Sequence, residues 1–123
     1  MKYEDLTRKI IGCAMTVHSS LGSGFQEVIY QRALAVEFKY TGIQFEREKE
    51  MTIHYRDEKI GKRRADFFIE NCVMLEIKAV SELRPEHKAQ AINYLEAYQM
   101  EIGLLFNFGA IRLEYNRLYN KNF

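Results

Sequence analysis

The segment Val73-Met74-Leu75-Glu76-Ile77-Lys78-Ala79-Val80 decides how this chain is read. On a strand, side chains alternate between faces, so Leu75 and Ile77 point one way and Glu76 and Lys78 the other. Met74 and Val80 share the face of the two charges, which predicts that this face is partly covered. A carboxylate and an ammonium under partial cover need a partner or a task. Upstream stands Arg64-Ala65-Asp66-Phe67-Phe68, with Glu70-Asn71 as a tight turn between the segments. In an antiparallel pair closed by that turn, Asp66 and Glu76 fall roughly opposite each other. Two hard oxygen ligands on neighbouring strands, completed by substrate phosphate, make a site that magnesium accepts. Lys78 can position an attacking water or offset negative charge in the transition state. Lys62 and Arg64 share a face with Asp66 if the strand is regular; Arg64 is the substrate-binding candidate, and Lys62 reads better as a solvated strand end.

Working outward, the period changes along the chain. Residues 5 to 20 carry Leu6, Ile10, Cys13, Ala14 and Val17 at helical spacing, and a second helix runs from about Phe25 to Tyr40. Gly42 is the expected left-handed stop. From Ile43 the pattern alternates: a strand at Met51, Ile53 and Tyr55, a polar turn at Arg56-Asp57-Glu58-Lys59, a strand Ile60 to Ile69, and a third strand Cys72 to Val80. Pro85 opens a helix running to about Met100, Ile102 to Phe106 reads as a strand covered on both faces, and Ile111 to Tyr115 as the last strand. A strand reached through the helix returns parallel to the third strand by a right-handed crossover. The expected fold class is α/β (α+β): one domain over residues 1–123, a mixed sheet flanked by helices, in the order ααβββαββ.

Composition narrows the function classes. The chain has 123 residues with 18 Lys and Arg against 17 Asp and Glu, so net charge gives no argument for nucleic acid, and phosphate contact has to come from a local patch. No apolar run reaches the ~18 residues of a membrane span. Cys13 and Cys72 have no metal-ligand spacing and read as buried thiols of a reducing compartment. The charged start, Met1-Lys2-Tyr3-Glu4-Asp5, has no apolar signal core behind it. A cytoplasmic location is expected.

Beyond the strand signature, Gly24-Phe25-Gln26-Glu27-Val28-Ile29-Tyr30 reads GxxExxY. It follows Val17-His18-Ser19-Ser20-Leu21-Gly22 and precedes Arg64-Ala65-Asp66, Leu75-Glu76-Ile77-Lys78-Ala79, Gln90-Ala91-Ile92-Asn93-Tyr94-Leu95 and Gly103-Leu104-Leu105-Phe106-Asn107-Phe108-Gly109. In this order the blocks resemble the GxxExxY family of the PD-(D/E)XK nuclease superfamily, over about residues 5 to 117. Asp66 and Glu76-Ile77-Lys78 match the superfamily's D…(D/E)xK signature, with Ala65 where its name has proline. The resemblance implies a restriction-endonuclease-like core and a phosphodiesterase acting on DNA rather than RNA, through Mg2+ or Mn2+ and an activated water. It also implies roles: Asp66 and Glu76 hold the metal, Lys78 is the catalytic lysine, Gln90 reaches the site from the following helix, and Glu27 approaches as a further acidic ligand or through water. Gln90 shares a helical face with His87 and Tyr94, so all three can point inward.

His18, His54 and His87 lack zinc spacing. His18 has two readings: a partner for Glu27 or substrate phosphate, or a structural tie at the glycine turn. Tyr30 reads as packing or support. Two function classes stay open, the nuclease and a non-catalytic nucleic-acid- or protein-binding module on the same fold. A homodimer is compatible with both.

Overall fold

In the computed structural model, which describes residues 3–123, two helices open the chain. Met1 and Lys2 of the charged N-terminus lie outside the described residues. Helix α1 (Glu4–Leu21) buries Ile10, Cys13, Ala14 and Val17 along one stripe, with Glu4 and Asp5 in its first turn, where the helix dipole favours negative charge. Helix α2 (Glu27–Thr41) stops at Gly42, whose φ of 79° is the left-handed conformation expected there.

The next four strands are one long antiparallel hairpin, bent in the middle. Strand β1 (Phe45–Arg47) pairs with β4 (Phe67–Ile69), and β2 (Glu50–Tyr55) pairs with β3 (Glu58–Arg64). The register runs through the bend: Arg47 faces Phe67, the Glu48 N–H donates to the Asp66 carbonyl at 3.1 Å, and Glu50 faces Arg64. The expected single strand from Ile60 to Ile69 is therefore broken at Ala65-Asp66, and β1 is a strand the alternation did not reveal. The outer half, β2–β3, forms its own two-stranded sheet. Its connection is a two-residue turn with Arg56 and Asp57 both at positive φ, tighter than the four residues expected. Glu70 and Asn71 turn the chain in the same way into β5 (Val73–Lys78).

Helix α3 (Pro85–Ala97) ends earlier than expected, because Tyr98 turns into the core and Gln99 takes a left-handed φ of 55°. It delivers β6 (Ile102–Asn107) parallel to β5, as the crossover rule requires. The last strand, β7 (Glu114–Tyr119), begins later than the expected Ile111. Asn107 is the reason: its Nδ2 donates to Glu114 Oε1 at 2.7 Å, while Oδ1 accepts from the Val80 and Gly109 N–H groups. Residues 108–113 are thereby committed to a loop, with Ile111 in solvent.

The main sheet has the order β1-β4-β5-β6-β7, mixed as expected. Leu75, Ile77, Leu104 and Phe106 pack against α1 and α2 on one face, and Met74, Leu105 and Leu118 pack with Ala91 and Leu95 of α3 on the other. Glu76 and Lys78 belong to the α3 face. The fold is thus a helix–sheet–helix sandwich with its charged pair on the central strand.

One contact in this frame allows no side chain. A Cβ at Gly109 would overlap the backbone nitrogen and carbonyl oxygen of Val80, whereas a Cβ at Gly61 would meet nothing within 4 Å. Gly109→Ala is expected to cost about 2–3 kcal/mol in urea unfolding, by overpacking a backbone contact. Gly61→Ala, in the hairpin, should stay within about 0.5 kcal/mol of the parent.

Candidate active site

The bend at Ala65-Asp66 is where the site begins. The Asp66 carboxylate accepts the Ile77 backbone N–H at 2.7 Å on one oxygen and the Gln31 amide at 2.9 Å on the other. Arg47 holds Gln31 from behind, donating to its side-chain oxygen at 2.9 Å. Asp66 is thus fixed to the central strand from one side and to α2 from the other. Extending the β4–β5 register by one step from Phe67↔Leu75 sets Asp66 opposite Glu76, as the sequence predicts.

Glu76 is only 4% exposed, an unusual place for a carboxylate. Arg63 Nη2 lies 3.5 Å from its Oε1, yet Oε1 has no hydrogen-bond partner, and neither has the buried Arg63 Nε. Burial, the Asp66 charge and a hydrogen bond with the Asp66 side chain push the Glu76 pKa up to about 9, against the opposing pull of Arg63 and Lys78.

Glu27, the first residue of α2, is solvent-accessible but belongs to the same electrostatic group. Burial raises its pKa first and the Asp66 charge second, while Lys78 and Arg63 lower it. Its position depends on Tyr30, which is fully buried and stacks on Phe108 with ring centroids 4.7 Å apart. The Tyr30 hydroxyl donates to the Gly22 carbonyl and accepts the Phe25 N–H at 3.1 Å. The motif's tyrosine, through Gly22 and Phe25, thus shapes the turn that sets the start of α2.

The remaining candidates scatter. Lys78 ends β5, half-buried, two residues beyond Glu76. Lys62 is the solvated strand end expected, but the expectation that Arg64 stands beside Asp66 needs correction: both pair with Glu50 on the hairpin, at 3.5 and 3.7 Å. Because the strand bends, Arg63 is the cation brought to the carboxylates. Gln90 is exposed on α3, His87 accepts the Arg84 N–H at 2.9 Å to cap that helix, and Tyr94 lies under the Arg63 guanidinium. His18 Nε2 lies 2.9 Å from the Ala110 carbonyl oxygen, which ties α1 to the β6–β7 loop rather than to Glu27. Sequence reasoning missed Gln31, Arg47 and Arg63. Gln31 sits four residues after Glu27, a spacing that shares a helix face and was readable in principle.

Among the described residues, no three His, Cys, Asp or Glu side chains converge into a closed metal cage. Asp66 and Glu76 instead offer an open pair of hard oxygen donors, one with a buried lone pair unspent. That donor set fits a cation such as magnesium, which takes one or two carboxylates and leaves positions for water and phosphate.

A solved structure titled "Crystal structure of SSO0001" shares the fold, with a TM-score of 0.62 and 23% sequence identity. The match covers 97% of this chain and 60% of that one, so this chain spans under two-thirds of its relative's length. No curated protein matches the sequence significantly. The family match covers residues 4–118, nearly the whole chain, and by it this protein belongs to the PD-(D/E)XK nuclease superfamily.

Proposed function

We propose that the protein is a divalent-metal-dependent phosphodiesterase that hydrolyses nucleic acid, from the GxxExxY branch of its superfamily. The observation that carries this reading is the Asp66–Glu76 pair: two neighbouring carboxyl groups, one of them buried with an unpartnered oxygen, set opposite each other when the β4–β5 register is extended by one step. Membership in the superfamily implies nuclease-like chemistry on nucleic acid, and its members typically use divalent metals.

In this reading Asp66 and Glu76 would hold Mg2+ or Mn2+, with Glu27 as a further acidic ligand or acting through a bound water. The ion supplies charge stabilisation at the phosphate and lowers the pKa of the attacking water. Lys78 orients that water and offsets charge that develops in the transition state. Asp66 keeps its orientation through Gln31 and the Ile77 N–H, and so enters the reaction preorganised. Gln90 reaches the substrate from α3, and Arg64 and His18 are assigned outer contacts with its backbone. DNA is placed ahead of RNA on the resemblance alone. Cleavage of both strands of a duplex needs two such sites, which a homodimer supplies. Two free thiols, Cys13 and Cys72, support a cytoplasmic setting. No helix among the described residues is long and apolar enough to cross a membrane.

The direct test is cleavage of labelled single-stranded DNA, duplex DNA and RNA with Mg2+ or Mn2+. Asp66→Ala and Lys78→Ala are expected to lower the rate at least ~100-fold while remaining folded, in line with loss of an electrostatic or acid–base group. Uncut substrates, or variants that cut as well as the parent, would favour the non-catalytic binding module.

The Glu76 shift gives a second expectation, for the metal-free protein. A carboxyl whose folded pKa is raised to about 9 holds a proton that the unfolded chain releases near 4.5. Folding stability is then fullest below the unfolded value and declines as pH rises towards the folded one. Glu76→Gln mimics the protonated form at every pH. In EDTA it should be more stable than the parent by about 1–3 kcal/mol at pH 8, with the gain shrinking towards pH 5. Urea unfolding at the two pH values measures it; a gain independent of pH would contradict the burial account.

A further inference from the structure

Arg63 is the unexplained group in this site. Its backbone is anchored, since Tyr98 donates its hydroxyl to the Arg63 carbonyl at 2.9 Å. Its guanidinium lies over the Tyr94 ring, 3.8 Å from the centroid, a stack that orients the flat group at little entropic cost. Yet its approach to Glu76 is loose: the 3.5 Å ion pair leaves Glu76 Oε1 and Arg63 Nε, both buried, without hydrogen bonds. A permanent buried ion pair usually spends its lone pairs and protons on each other. Here the guanidinium stands against the carboxyl while the bonding capacity stays open on both sides. The cation also comes from the bent hairpin rather than from the central sheet, so it can shift without disturbing β5.

Resting on the proposed metal site, we propose that Arg63 is a positioning residue that stands in for the metal: it lies against the Glu76 carboxyl until a divalent ion binds, is displaced by that ion, and then holds a nucleic-acid phosphate. The first half follows from charge. A guanidinium and a divalent cation beside one carboxylate repel each other, so the resident cation weakens the incoming one. The second half follows from chemistry, because a displaced guanidinium keeps a fork of donors that fits phosphate. Tyr94 is the pivot on which the group remains oriented. Arg63 thereby couples metal loading to substrate grip, and an ion bound without substrate leaves it exposed and unpaired.

Calorimetric titration with Mn2+ alone, on the EDTA-treated protein, tests the displacement. Arg63→Gln should bind Mn2+ about tenfold more tightly than the parent, since the competing charge is gone, and Arg63→Lys should return the affinity towards the parent value. A merely structural Arg63 predicts the opposite sign, with Gln weakening the ion. Thermal melts confirm folding, and Arg63→Met, which also removes the charge, carries the same expectation if the Gln variant does not fold. The release to phosphate is read from the salt dependence of single-stranded DNA binding, measured by anisotropy in a Lys78→Ala background. With Mn2+ the slope should fall by about one unit in Arg63→Gln, and in EDTA it should not change. Equal or weaker Mn2+ binding by Arg63→Gln, or a slope that ignores Mn2+, overturns the inference and leaves the nuclease reading standing. Failure of the parent to bind Mn2+ overturns both.

Discussion

The hydrogen bond from the Ile77 N–H to the Asp66 carboxylate, at 2.7 Å, is the constraint on which the site depends. It draws Asp66 onto the central strand at the point where the long hairpin bends, and Gln31 of α2 holds the other oxygen. The consequences propagate in three directions. Phe67 to Ile69 are committed to the main sheet, Asp66 is set against Glu76, and β2–β3 swings out as a separate ribbon that carries Arg63 back over α3. A two-stranded ribbon is marginal by itself in water, so its order rests on that return contact. Fold and site share one short piece of backbone.

The same arrangement stores a penalty at the centre of the protein. A buried carboxyl with a carboxylate neighbour destabilises the metal-free state, and one ion pair without hydrogen bonds offsets that only partly. Sites that hold charge in readiness commonly carry such a cost, and the surrounding core has to exceed it. The apolar layers do so on both faces: Tyr30, Phe67, Phe106 and Phe108 are fully buried on the α1–α2 side, and Met74, Leu95 and Leu105 on the α3 side.

Much of this was legible in the sequence where one local rule decided the outcome. The alternation of Leu75 and Ile77 with Glu76 and Lys78, the turn at Glu70-Asn71 and the stop at Gly42 follow from local stereochemistry. The facing of Asp66 and Glu76 needed only the turn length. What could not be read were effects of distant partners. The bend at Asp66 depends on an amide eleven residues away, so strict alternation brought Arg64 rather than Arg63 towards the site. The late start of β7 depends on Asn107 capturing Glu114, and the role of His18 on a carbonyl ninety-two residues away.

The central claim is that Asp66 and Glu76 together hold a divalent cation. A crystal grown in Mn2+ and measured at a wavelength where manganese scatters anomalously tests it most directly. A single anomalous peak within bonding distance of both carboxylates, absent in Asp66→Ala, is the predicted result. A peak elsewhere, or no peak while Glu76 remains against Arg63, would contradict the account.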